Sequence, residues 1–277
     1  MNRPAFILTA LLAAAAAPGA DVTVSLGLAA AQDPSHLPCR TAELTIDYSG
    51  SIQGRVIRSA RLRERQGGPT IVCALSVAPG SRGTVAVALP AWTQQQEYAV
   101  DLLSGDDDGS GVLAGASASI LWPLETIQPG DFINPRAYEP WSEDLPTWPE
   151  SLKRNVFLAA ALTCIALAAA LLLRRGVVRI AAIVAAAAGA VLALSVLLST
   201  QQMVVQKQSR DGSVLALTCR RTATWQSSDS RLFPIYYSQR QMQDDTTVIC
   251  AGKGIRLELH PNEVRLLRRP GPAAGSR

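Results

Sequence analysis

The chain is poor in the side chains that most often carry out chemistry, since its 277 residues include only two histidines, His36 and His260. Neither histidine has a second His, Cys or Glu at the spacing of a zinc site. The sequence also lacks the G-x-S-x-G elbow, the H-E-x-x-H pair and a phosphate-binding glycine loop. We therefore predict a protein that is not an enzyme and that holds no cofactor and no metal.

One acidic segment, residues 106–111, has the D-x-D-x-S-G order that begins a calcium loop. An EF-hand loop also needs a glutamate at its twelfth position, where Ser117 stands, and a helix on each side. Because both are missing, we interpret the segment as a solvated acidic turn.

Charge and proline are absent from two long apolar runs, Val156–Leu173 and Ile180–Leu198. Each run is close to the ~20 residues that a helix needs to cross a ~30 Å hydrocarbon core. The turn between them carries Arg174, Arg175 and Arg179, and short basic loops stay in the cytoplasm. We therefore predict a transmembrane helical hairpin in a bacterial inner membrane, with the lipid bilayer as a partner and both flanking regions outside the cytoplasm.

The second apolar run repeats small residues every four positions, at Ala185, Gly189 and Ala193. Residues four apart share a helix face, and small side chains let two helix backbones approach closely. We predict that this face packs against the first helix or a partner's helix. The alternative is that alanine is simply abundant in this chain.

The first residues resemble a secretory signal peptide in layout, with Arg3 followed by an apolar stretch at 5–17. Small residues then offer cleavage after Ala20 or after Ala31, and the second position fits the small-x-small rule better. We predict a signal peptide at 1–31, with an uncleaved N-terminal anchor as the alternative.

The chain has five cysteines, of which Cys164 lies inside the first apolar run. The others form two pairs by position, and in an exported protein such pairs suggest disulfides. We predict the bonds Cys39–Cys73 and Cys219–Cys250 and a free Cys164. The alternative is four reduced, buried thiols in a cytosolic protein.

The surroundings of these pairs are similar. L-P-C-R-T-A at 37–42 resembles L-T-C-R-R-T-A at 217–223, and P-T-I-V-C-A at 69–74 resembles T-T-V-I-C-A at 246–251. The likeness reflects either an internal duplication or one strand pattern that occurs twice.

Apolar–polar alternation recurs on both sides of the hairpin and is typical of short β-strands. In the first region it predicts strands such as Thr70–Val77 and Tyr98–Leu103. The fold class is therefore a membrane-anchored, mostly β protein with two sandwich- or barrel-like domains flanking the hairpin. The boundaries are 32–127 for the first domain, 128–153 for a linker with five prolines and two tryptophans, 154–199 for the hairpin, 200–270 for the second domain and 271–277 for a disordered tail.

Five arginines fall within eleven residues, at Arg55, Arg58, Arg61, Arg63 and Arg65. Such a cluster is a candidate patch for anionic lipid, an envelope polymer or an acidic partner. The competing interpretation is a solvated strand pair with Glu64 as local compensation. Nucleic acid is not expected as a partner of an exported protein.

The short turn between the apolar runs leaves no room for a cytoplasmic output domain, which argues against a signal transducer. Two helices with few polar residues also argue against a transporter. We therefore predict an accessory or scaffold subunit of an envelope assembly, partnered by a membrane or envelope protein or by itself. The alternatives are a binding module for envelope polymer or anionic lipid, and an enzyme whose site is not legible.

Overall fold

The computed structural model describes residues 22–49, 54–106, 111–139, 150–172, 176–200 and 204–269, which form a mostly β protein. The described strands are β1 (Thr23–Leu28), β2 (Arg40–Tyr48), β3 (Ile57–Glu64), β4 (Thr70–Val77), β5 (Ser81–Leu89), β6 (Gln95–Leu103), β7 (Val112–Leu121), β8 (Val205–Gln208), β9 (Val214–Thr218), β10 (Ala223–Ser227), β11 (Phe233–Ile235), β12 (Val248–Cys250), β13 (Gly254–Leu259) and β14 (Val264–Arg268). The α-helices are α1 (Glu150–Leu172), α2 (Gly176–Thr200) and α3 (Gln239–Gln243).

The described chain divides into two compact units. Unit 1 contains the chain up to Ile133, Ser228–Arg231 and Ser238–Ile255. Unit 2 contains Asn134–Ser227, Leu232–Tyr237 and the chain from Arg256 onward. Residues 238–255, which the sequence assigns to the second β domain, therefore belong to the same unit as the first.

Unit 1 is a sandwich of two sheets that share one core. One sheet has the strand order β1-β2-β5, and in the other the order within this unit is β12-β4-β3-β6-β7. Alternate residues of β2 point inward, so that Leu44, Ile46 and Tyr48 are fully buried. They join Leu62 and Val100 from the facing sheet in one apolar cluster. The alternation of the sequence is therefore the pattern of a half-buried strand.

The two similar cysteine motifs are neighbours in unit 1. β12 pairs with β4 in parallel, with Val248 opposite Thr70 and Cys250 opposite Val72. The backbone N–H of Ala251 continues the pairing by donating to the Val72 carbonyl at 2.9 Å. The β-branched residues of the two motifs suit this pairing, because such side chains pack well against the neighbouring strand of a sheet.

Unit 2 contains a four-stranded antiparallel sheet in the order β11-β14-β9-β8. The small core of this sheet contains Ala216, Ile235, Val264 and Leu266. Partly buried residues, among them Tyr138, pack against this core. Strand β10 also belongs to this unit and lies beside β13, whose residues from Arg256 onward belong to it as well. Helices α1 and α2 also belong to unit 2 and pack against each other.

The prediction of membrane-spanning helices is wrong: none of the helices that the structure describes combines the length and the apolar character needed to cross a bilayer. The helices begin earlier than the predicted spans, so α1 includes Glu150, Lys153 and Arg154, and α2 includes Arg179. The predicted fold class of a membrane-anchored protein and its inner-membrane location are corrected with it. The predicted location of both β domains outside the cytoplasm depended on those spans.

The predicted disulfides are also wrong, because none of the five cysteines is bonded to another. Cys39 lies immediately before β2, whereas Cys73 lies on β4 in the other sheet and its thiol donates to the Ala60 carbonyl at 3.6 Å. The thiol of Cys219 is directed at the carbonyl of Leu259 at 3.5 Å. Positions in the sequence paired these residues, but the strands that carry them direct the side chains elsewhere.

Burial keeps the core thiols protonated, since it raises the pKa of Cys73 to about 12 and the pKa of Cys39 further still. We therefore expect rapid maleimide labelling of the native protein at Cys164 alone, the cysteine with an exposed side chain. Urea without a reductant should then expose all five thiols. Mass spectrometry counts the labels. A count of one labelled thiol after unfolding would show that the two predicted disulfides are present after all.

Several predictions fall on residues outside the described ranges. These are most of the signal peptide, the middle of the linker, Arg174, Arg175, most of the acidic loop and the tail 271–277. The end of the predicted signal peptide is described, and there β1 pairs with β2 along its whole length. A chain cleaved after Ala31 would lack β1, whereas a chain cleaved after Ala20 would keep it.

Candidate functional site

The arginine-rich segment lies along β3, where acidic residues of β6 neutralise much of its charge. Arg61 stands opposite Asp101 and donates to its Oδ2 from Nη2 at 2.9 Å. Arg63 reaches the same oxygen at 2.8 Å. Arg65 pairs with Glu97 at 2.9 Å. An anionic ligand would have to compete with both carboxylates for these arginines.

The other two arginines of the predicted patch are exposed at the start of the segment. Arg55 lies before β3, and its carbonyl accepts a hydrogen bond from the Tyr48 hydroxyl at 3.1 Å. Arg58 lies where the pairing of β3 with β4 shifts register. The structure therefore brings three of the five arginines together, in a row that already contains its counter-charges.

A buried carboxyl lies on the opposite face of the same strand. Glu64 ends β3 and is 8% exposed, and the indole N–H of Trp92 donates to its Oε1 at 2.9 Å. Nearby, Trp122 donates to Gln96 Oε1 at 2.6 Å, and Gln96 Nε2 donates to the Tyr98 hydroxyl at 3.3 Å. We call these five residues the Glu64 cluster.

Burial dominates the electrostatics of this cluster. It raises the pKa of the Glu64 carboxyl to about 7, although hydrogen bonds from Trp92 and Gln96 oppose the rise. Burial also raises the pKa of Tyr98 well above its ordinary value, and the charge of Glu64 adds to that effect. The carboxyl is thus the group of the cluster that changes charge near neutral pH.

Sequence reasoning missed this carboxyl and treated Glu64 as compensation for the neighbouring arginines. The alternation of β3 contains the missing signal, because Leu62 is buried and Glu64 follows it on the same strand face. The acids that compensate the arginines are Asp101 and Glu97 on β6, which are distant in sequence.

A hydroxyl, an imidazole and a carboxylate meet at the start of β2, and their arrangement resembles a nucleophile with its base and orienting acid. The Thr41 hydroxyl is 3.0 Å from His36 Nδ1, and His36 Nε2 is 3.9 Å from Asp33 Oδ2. However, Thr41 is 3% exposed and its hydroxyl also accepts the Asp33 N–H at 2.9 Å. These three residues stabilise the short 3-10 turn at Pro34–His36, and the Thr41 hydroxyl is not accessible to a substrate.

The second histidine, His260, follows β13 in a turn, where its backbone N–H donates to Glu263 Oε2 at 3.2 Å. Within the described ranges, no three His, Cys, Asp or Glu side chains converge in a way that could hold a metal ion. The acidic loop is described only up to Asp106, whose carbonyl accepts a hydrogen bond from Lys253 at 3.3 Å.

The inner face of the α1–α2 hairpin is built from small residues. A Cβ added to Gly189 would stand 2.8 Å from the Thr163 hydroxyl of α1, and Ala186 is buried. Ala185 is exposed, and the side chain of Ala193 is outside the described set. Of the two predicted residues whose side chains are described, only Gly189 is directed at α1, and Ala186 takes the place assigned to Ala185.

The outer face of the hairpin is apolar and exposed. Phe157 is 78% exposed and Val177 is 82% exposed, and both helices carry further large side chains of this kind. We call this set the outer face: Phe157, Leu158, Leu162, Ile165, Leu167, Leu172, Val177, Ile180, Ile183, Val184, Val191 and Leu194. An exposed apolar surface of this extent is typical of an interaction site.

No family model matches the chain, and the searches of curated proteins and of solved structures returned no match. Two features stand out from the rest of the described surface and core: the outer face of the hairpin and the Glu64 cluster.

Proposed function

We propose that this protein is a non-catalytic scaffold, in which the outer face of the α1–α2 hairpin joins copies of the chain and the assembly presents their β-sheets. The observation that carries the proposal is the exposure of the twelve large apolar residues of the outer face. Covering such a surface stabilises an assembly by roughly 25 cal/mol for each Å² removed from water.

Each helix of the hairpin has two faces with different side chains at heptad spacing. The inner residues of α2 are Ala182, Ala186 and Gly189, which are separated by four and three positions. The outer residues Ile180, Val184, Val191 and Leu194 repeat at the same heptad spacing. Small residues on the inner face let the two helices of one hairpin approach closely, while large residues face outward.

On α1, Leu158, Leu162 and Ile165 are separated by four and three positions, and Leu172 follows one heptad after Ile165. Apolar residues that repeat with this alternation of three and four form the seam of helical bundles. A seam of this kind on one hairpin can be covered by the same seam on the hairpin of another copy. A second copy is the natural occupant, because a two-fold axis lets the same face serve both partners.

Sedimentation velocity of purified protein tests this proposal. The variant Ile165→Gln with Val184→Gln places an amide on the outer face of each helix, while the control, Leu37→Gln with Leu124→Gln, alters exposed leucines elsewhere. We expect the parent and the control to sediment with at least twice the 29.3 kDa chain mass, and the hairpin variant to sediment as a single chain. Circular dichroism checks that the helices persist.

A parent protein that stays at the mass of one chain over the whole concentration range would contradict the proposal. A hairpin variant with the same mass as the parent would place the association elsewhere on the molecule. The binding of anionic polymer is a different function, and it would be lost on charge reversal of Arg61 and Arg63 rather than on changes in the hairpin.

A further inference from the structure

We propose that the Glu64 cluster is a proton-operated lock in unit 1, which is closed when the carboxyl is neutral and loosened when the carboxyl ionises. The geometry supports this role, because only one of the two carboxyl oxygens accepts a hydrogen bond from the described residues. Oε1 receives the indole N–H of Trp92, whereas Oε2 is buried and accepts no hydrogen bond from the residues that the structure describes. A neutral carboxyl places its proton on this second oxygen, but a carboxylate would leave it without a donor.

The charged groups around the cluster do not compensate an ionised Glu64. Its chain neighbours, Arg63 and Arg65, point to the opposite face and pair with Asp101 and Glu97. The charges of these two arginines are therefore paired with carboxylates other than Glu64. An ionised Glu64 would therefore be a buried charge without a counter-charge, and it would destabilise the packing of the Glu64 cluster.

The buried phenol and thiol on the other packed elements remain neutral near pH 7. Burial raises the pKa of Tyr98 on β6 and of Cys39 ahead of β2. Beyond Cys39, Arg40 and Asp131 act on that thiol in opposite directions. Glu64 is therefore the group in this surrounding whose charge changes in the physiological range.

The lock connects three parts of unit 1 through Trp92. The Trp92 ring packs edge-on to Phe132 with centroids 5.8 Å apart. It also lies against Gly68, where a Cβ would come within 2.6 Å of the ring. Gly68 in turn donates its N–H to the Met242 carbonyl at 2.6 Å. A displaced Trp92 would therefore loosen both the Gly67–Gly68 turn and the segment at Phe132.

The sign of the pH dependence follows from the elevated pKa. Because the pKa of Glu64 is about 7 in the fold and 4.5 ordinarily, the folded state holds a proton that the unfolded state releases. Stability is therefore highest below about pH 4.5, falls as the pH rises from about 4.5 to about 7, and levels off above that. This is the reverse of the usual behaviour of a salt-bridged carboxylate.

Thermal unfolding and tryptophan emission of the full chain, followed from about pH 5.5 to about pH 8.5, test the lock. We expect the midpoint temperature to fall by about 5 °C or more over this range, with a parallel change in emission. The Glu64→Gln variant should lose both changes, while Glu97→Gln, an exposed acid on β6, should keep them. A parent without a transition, or a Glu64→Gln variant that retains it, would overturn the proposal.

A second variant gives a result even where Glu64→Gln fails to fold. Trp92→Phe removes the larger of the two hydrogen-bond contributions that lower the pKa of Glu64, so the upper end of the transition in stability should move to higher pH. The emission change should shrink in the same variant, because its main reporter is gone. An unshifted transition with full emission change in Trp92→Phe would assign the pH dependence to another group and overturn the lock.

Discussion

Replacing Glu263 with Ala is expected to lower the free energy of unfolding by about 3–5 kcal/mol. Its partner Arg265 lies on β14 with a side chain that is 3% exposed, and Arg265 Nε is 2.7 Å from Glu263 Oε1. A guanidinium stays charged when it is buried, so the loss of the carboxylate leaves a charge with poor solvation. Glu263 also accepts the N–H of His260, which the alanine would leave without this acceptor.

Urea denaturation followed by circular dichroism measures this effect. Glu43→Ala is the matched control, because Glu43 is an exposed acid on β2 and its removal should change stability by less than about 0.5 kcal/mol. Adding Arg265→Met to Glu263→Ala should recover most of the loss, since an apolar side chain of similar length needs no counter-charge. A loss below about 1 kcal/mol in Glu263→Ala would show that the ion pair is not what holds this arginine.

Gly67→Ala should also destabilise strongly, and Gly80→Ala provides its control. Both glycines have positive φ, of 108° and 75°, so each alanine costs about 1–2 kcal/mol in backbone strain. At Gly80 a Cβ meets open space, whereas at Gly67 it would stand 2.6 Å from the backbone carbonyl of Met242. Backbone cannot move aside as a side chain does, and we expect a further ~1–3 kcal/mol at Gly67.

Parallel urea titrations of the two variants isolate the contact from the strain that they share. The account requires Gly67→Ala to be the less stable of the two. Equal losses would mean that the loop at 65–69 moves away from the segment at Met242 without cost, and that this junction does not hold β12 beside β4.

The strands of unit 1 are largely predictable from the sequence. β4 covers Thr70–Val77, the range that alternation predicts, and β6 extends the predicted Tyr98–Leu103 by three residues to Gln95. Alternation works here because each sheet has one face in the shared core and one face outside it. What alternation does not reveal is strand order, which brings β12 beside β4 across a long stretch of sequence.

The wrong predictions share a physical origin, since they inferred surroundings from composition. Hydropathy reports that the helices of the hairpin are apolar, but it does not report what their outer face contacts. Cysteine spacing likewise says nothing about strand faces. Cys39 lies ahead of β2, whereas Cys73 lies on β4 in the other sheet with its thiol directed at the Ala60 carbonyl.

The Glu64 cluster was hidden for a related reason. A glutamate between arginines appears in the sequence as part of an ion-pair network, but adjacent residues of a strand point to opposite faces. Arg63 and Arg65 therefore share one face, while Glu64 shares the other with Leu62. The indole N–H that the carboxyl accepts comes from Trp92, in the segment before β6. No local pattern in the sequence indicates this contact.

Energy transfer between two labelled pools of the protein tests the central claim, that hairpins of different copies join through their outer faces. Cys164 lies on α1 and is the exposed thiol, so donor and acceptor dyes attach there without further mutation. The axes of two packed helices are about 10 Å apart, and mixing the pools should give strong transfer that unlabelled protein competes away. The Ile165→Gln, Val184→Gln variant should give none. Absence of transfer in the parent at concentrations where its mass exceeds one chain would contradict the account.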